Sequence, residues 1–99
     1  MLPEGFHWAR RWEYDNGDNA VFCTGVCVAY MDRKVDGSWF ARLDTHKGEL
    51  SRWRDCTSRD AGRSGCEAWV RRYADRLRTE ARVMAAAWPA LRWQGKTGH

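Results

Sequence analysis

Residues 64–88 constrain the fold of this chain more than any other stretch. Read at a helical period, Cys66, Val70, Tyr73, Leu77, Met84 and Trp88 fall on one stripe, with Trp69, Ala74 and Ala81 widening it. Arg71, Asp75, Arg78 and Arg82 line the opposite side. The spacing predicts one amphipathic helix. Ser64-Gly65-Cys66-Glu67 has capping-box spacing and marks its start, and Pro89, with no N–H to continue the ladder, marks its end. A stripe of this length needs a partner surface, and the residues before it alternate with a period of two.

Residues 6–14 alternate, with aromatic side chains on every even position except Arg10, and predict a first strand. Asn16-Gly17 suits a hairpin turn. Residues 20–33 predict a long central second strand with Phe22, Val26, Val28 and Tyr30 on the face covered by the helix. Asp36-Gly37, read as a two-residue loop, pairs Tyr30 with Leu43, Asp32 with Ala41 and Lys34 with Trp39. After a turn at His46-Lys47-Gly48, residues 49–56 predict a fourth strand, and residues 57–63 a polar loop. The expected fold is α+β: a two-layer domain over residues 1–93, with a four-stranded antiparallel meander and one long C-terminal helix packed on one face. Residues 94–99 carry no periodic pattern and predict a mobile tail.

The formal charge of +4 is unevenly spread: residues 1–50 carry a net −2 and residues 51–99 a net +6. Fourteen of the seventeen basic residues are Arg, the side chain suited to bidentate phosphate or carboxylate contacts and to stacking on rings. No apolar stretch follows Met1-Leu2-Pro3-Glu4, and no run approaches the ~18 residues of a membrane span, so the expectation is a soluble cytoplasmic protein. In that setting the four cysteines are expected to be reduced. Cys23 and Cys27 on one strand would lie ~13 Å apart, and no Cys-x2-Cys knuckle is present, so neither metal nor cofactor is expected. Cys56 and Cys66 flank a loop and could approach one another, which leaves a bridge between them open in an oxidising setting.

Three constellations bear on function. Trp8, Arg10 and Trp12 of the first strand, with Phe40 and Arg42, form an aromatic and arginine platform for bases or for a protein in one register. A register one residue away sends the first-strand rings into the core. Arg52, Arg54, Arg59 and Arg63 crowd toward Ser64 and Gly65 at the expected helix N-terminus, where free N–H groups favour an anion. Arg71, Arg78 and Arg82 extend that region along the helix, beside a second row of Arg72 and Arg76, with Asp75 and Glu80 as intrahelical partners. Catalytic motifs are missing: there is no Walker loop, Gly-x-Ser-x-Gly or His-Glu-x-x-His, and His46 reads as a solvent-facing turn residue.

The sequence thus points to a non-enzymatic protein that contacts nucleic acid, or an acidic or nucleoprotein partner, through a basic edge. The competing reading is an adaptor or inhibitor of the kind phages and mobile elements encode, docking on a larger protein through the aromatic face or the basic helix. A homodimer through stacked sheet faces is compatible with both.

Overall fold

The structure, a computed structural model, describes residues 1–15 and 17–97, and for residues 88–97 the backbone alone. It is an α+β fold in two layers, an antiparallel sheet and one long helix. The sheet holds five strands in the order β1-β2-β3-β4-β5: β1 (Phe6–Ala9), β2 (Ala20–Cys23), β3 (Val26–Arg33), β4 (Trp39–Leu43) and β5 (Arg52–Cys56). A 3-10 segment, Thr45–Leu50, joins β4 to β5, and α1 spans Arg59–Thr97.

The extra strand comes from Thr24-Gly25, which breaks the expected central strand into a hairpin. Both residues have positive φ, 54° and 77°, as the primed two-residue turns require. Cys23 and Cys27 therefore sit on different strands. β1 is also shorter than its aromatic alternation suggests, because the chain leaves the sheet after Ala9 and Trp12 and Tyr14 lie in the connection to β2. Asn16 of the expected hairpin turn lies outside the described residues.

Two irregularities decide which side chains face the helix. Val21 pairs with Ala29 but Phe22 with Cys27, so Val28 is an extra residue in β3, a bulge that switches the alternation. Before it Val26 faces the core; after it Ala29 and Met31 do, and Tyr30 turns outward. The loop after β3 has three residues, not two: Lys34 N–H donates to Ser38 O, and Gly37, at φ 89°, donates back to Lys34 O. That moves the register by one, pairing Ala29 with Leu43, Met31 with Ala41 and Arg33 with Trp39. Leu43, Ala41 and Trp39 thus keep the helix-covered face, but Tyr30, Asp32 and Phe22 do not share it.

The helix buries Cys66, Trp69, Val70, Leu77 and Ala81 against Val21, Val28, Met31 and Leu43, so the expected stripe is the interface with the sheet. Its ends differ from expectation. The Ser58 hydroxyl accepts the Ala61 N–H at 3.0 Å and Asp60 occupies the first turn, so capping occurs six residues before Ser64. Ser64 and Gly65 are interior helix residues whose backbone donors belong to the ladder. Pro89 and residues 94–97 also lie within the helix bounds, since a proline removes one hydrogen bond without obliging the chain to stop. Backbone dihedrals leave the helical region once, at Tyr73 (φ −114°, ψ 21°). The side chain of Trp88 and residues 98–99 of the expected tail lie outside the described residues.

Early in α1 two glycines have opposite roles. A Cβ on Gly62 would stand 2.9 Å from Met31 Sδ and 3.0 Å from Cys56 Sγ, whereas one on Gly65 meets nothing within 4 Å. Gly65→Ala is expected to raise stability by up to about 1 kcal/mol through helix propensity. Gly62→Ala is expected to lower it by about 1–3 kcal/mol, because the new methyl stands inside contact distance of both sulfurs and the fully buried Met31 must shift to admit it. Urea unfolding of the two variants reads both signs.

Candidate nucleic-acid interface

The arginines of the expected basic edge, Arg82 apart, divide into two sets, one on each side of α1. On the β1 side they hold the N-terminal part of the chain. Arg59 Nε donates to Asn19 Oδ1 at 3.0 Å, and Arg63 donates to Asp18 O at 3.3 Å with its guanidinium 4.3 Å from the Trp8 ring. Arg71 donates to Met1 O at 2.8 Å, and Arg78 reaches Glu4 O at 2.8 Å and Asp75 at 3.1 Å. These side chains are committed within the fold, and with Ser64 and Gly65 inside the helix there is no anion cradle where the sequence placed one. Arg82 is exposed on the outer helix face.

On the other side the arrangement is open. Arg52 and Arg54 pair with Leu43 and Ala41, so their side chains leave the exposed edge strand β5 on its helix-facing side. There they meet Arg72 across a cleft of about 270 Å³ walled by Trp69 and Tyr73. Gly65 and Ala68 complete its lining and, being small, leave it room. Among the described residues Arg54 and Arg72 have no carboxylate partner, and Arg52 lies 3.9 Å from Asp44. Trp69, itself buried, has an indole N–H without an acceptor. An orphan buried donor costs on the order of 1–3 kcal/mol within the core, and the three cations leave the cleft beside it short of negative charge. Arg72 belongs here rather than to a neighbouring row, a placement that helical spacing alone does not reveal.

The opposite face of the sheet carries a chain of stacked groups. The Arg11 guanidinium sits 4.0 Å from the Tyr30 ring, Tyr30 meets Phe40 edge-on at 6.4 Å, and Phe40 stacks on Trp53 at 4.5 Å. Arg42 lies 4.9 Å from the Trp53 ring, its Nε donating to Ser51 Oγ at 2.8 Å. Phe40 and Arg42 are therefore where the platform reading puts them, and Tyr30, Trp53 and Arg11 join them. Trp8 does not: it faces the helix, with Nε1 donating to Glu67 at 2.9 Å. Arg10 and Trp12 lie beyond β1 in the exposed connection, Trp12 packing edge-on against Tyr14. The three-residue loop after β3 is the signal that would have found Tyr30, since it sets which β3 residues share Phe40's face; Trp53 is placed by the β4–β5 register, which pairs it with Arg42.

A third cluster ties the 3-10 segment to α1. Arg76 donates to Asp44 Oδ1 at 3.1 Å and to Glu80 Oε1 at 2.9 Å, His46 Nε2 lies 2.7 Å from Glu80 Oε1, and Lys47 reaches Glu80 at 3.2 Å. Asp44 is buried with φ 60°. His46 is not a solvent-facing turn residue, its side chain being only 2% exposed. The ligand atoms of Asp44, His46 and Glu80 lie within 4.8 Å of one another, a spacing a metal ion can use. Arg76 and Lys47 already neutralise those carboxylates, however, and the cluster reads as an ion-pair network. Burial pushes the Glu80 carboxyl up, but hydrogen bonds from His46, Lys47 and Arg76 outweigh it and hold the pKa at about 2. With the folded value below the unfolded one, this stabilisation is complete above about pH 4.5 and is lost as pH falls toward 2. Glu80→Gln is therefore expected to flatten the acid limb of a stability-versus-pH curve across that window.

The four cysteines carry free thiols. Burial pushes Cys66 up to about 12 and also raises Cys27 and Cys56, which keeps these groups protonated and poor nucleophiles. Cys56 packs near Gly62 and His46 against Glu80, helix positions roughly 27 Å apart along the axis, so the two do not form a nucleophile and base pair. No helix among the described residues is long and apolar enough to cross a membrane. Comparison with protein-family models, curated proteins and solved structures finds no match.

Proposed function

We propose that the chain is a non-enzymatic nucleic-acid-binding protein whose phosphate-contacting surface is the cleft between β5 and α1. The observation that carries this reading is the meeting of Arg52, Arg54 and Arg72 around one concavity with a single long ion pair among them. Guanidinium groups bind phosphate oxygens in pairs, and a polyanion releases counterions on meeting several at once. The basic edge expected from Arg52 to Arg82 contracts to this cleft, because the β1-side arginines already bond to backbone carbonyls and side chains and Arg82 lies on the outer helix face away from it.

The test is fluorescence anisotropy with labelled DNA and RNA at two salt concentrations. Three phosphate contacts predict a slope of log K against log salt near −2 on a single strand. Absence of binding at low salt overturns the reading. It then favours the protein-adaptor alternative, for which the free edge of β5 and the exposed Trp53 are the supporting features.

A further inference from the structure

The geometry of β5 points to a single-stranded nucleic acid as the ligand, with its phosphates in the arginine cleft and its bases stacked on the other side of the same strand; this rests on the nucleic-acid reading above. Arg52, Trp53 and Arg54 are consecutive, and the alternation of a strand sends the two arginines to the helix side and the indole to the open face. β5 is the last strand of the sheet, paired only with β4, so nothing in the sheet separates the two surfaces. A flexible strand can pass over that edge and use both. A duplex cannot, because its base faces are already stacked within it.

The open face is built to receive a ring. Trp53 is 60% exposed, yet it is held by Phe40, which packs on Tyr30, and Tyr30 in turn lies under Arg11. Arg42, fixed by Ser51, adds a guanidinium plane beside it, and both planes are surfaces on which any base stacks. On the open face Asp32 and Asp55 are each ion-paired, with Arg11 and Lys34, which leaves Arg42 as the cation without a carboxylate partner among the described residues and the helix side of the edge as the main source of positive charge.

The test compares labelled single-stranded DNA and RNA with duplexes of the same sequence, using the full chain, Trp53→Ala and Trp53→Phe. Single strands are expected to bind at least about tenfold more tightly than duplex at equal salt. Trp53→Ala is expected to weaken single-strand binding by about tenfold or more without changing its salt slope or duplex affinity, and Trp53→Phe to restore most of the loss. Duplex binding as tight as single-strand binding, or a Trp53→Ala variant that is folded and unimpaired, overturns the inference while leaving a phosphate-binding cleft in place. Failure of every nucleic acid to bind at low salt overturns both.

Discussion

With Arg52, Arg54 and Arg72 reversed to glutamate, nucleic-acid affinity is expected to fall by about a hundredfold or more, and the salt slope to flatten by roughly two units. The thermal midpoint should hardly move, since these side chains have only one ion pair, at 3.9 Å, among the described residues. The comparison set is Arg63, Arg71 and Arg78, of the same residue type and in the same half of the chain. Reversing them removes charge-assisted bonds to Asp18, Met1 and Glu4 carbonyls and lowers the midpoint by several degrees, because such bonds anchor the N-terminal segment to α1. Their reversal leaves the salt slope nearly intact. If the two triple variants lose affinity equally while both stay folded, binding is a property of total charge and the cleft has no special part in it. Anisotropy paired with thermal unfolding separates these results.

Arg76→Leu is expected to cost about 3–5 kcal/mol at neutral pH, more than the loss of any arginine of the cleft. Arg76 is the close partner of Asp44, a buried carboxylate, and the same guanidinium also holds Glu80. Removing it leaves a charge in the interior with Arg52 only at 3.9 Å. Adding Asp44→Asn to the same variant should recover much of the loss, since it removes the stranded charge and asparagine accepts the positive φ at that position. Urea unfolding of the two single variants and the double gives the coupling directly. A double variant as unstable as Arg76→Leu alone would mean that Arg76 acts through packing rather than through Asp44.

Both predictions depend on which arginine faces which edge, and this is what the linear pattern conceals. Arg52, Arg54, Arg59 and Arg63 look like one group in the chain, and Arg71 and Arg72 are neighbours. In the fold Arg54 and Arg72 share a cleft, while Arg59, Arg63 and Arg71 point the other way. Adjacent helix residues project about 100° apart, so proximity in sequence separates side chains that tertiary packing would have to unite. His46 escaped for a similar reason: its burial depends on Glu80, 34 positions later, and no local signal announces a partner so distant.

What the sequence by itself determined was the two-layer α+β architecture and the buried stripe of Cys66, Val70, Leu77 and Ala81, because a 3.6-residue period and a two-residue alternation are local properties that survive any arrangement of their neighbours. Phe40 and Arg42 were legible as outward-facing for the same reason. Only the tertiary structure decided the strand count, the register and the division of the arginines. One bulge residue, Val28, and one extra loop residue before Ser38 are each enough to exchange the two faces of a strand, since side-chain direction alternates with every residue. The cost of such a shift is set by what the rings of Tyr30, Trp53 and Trp8 meet across the sheet, and those contacts exist only once the chain has folded.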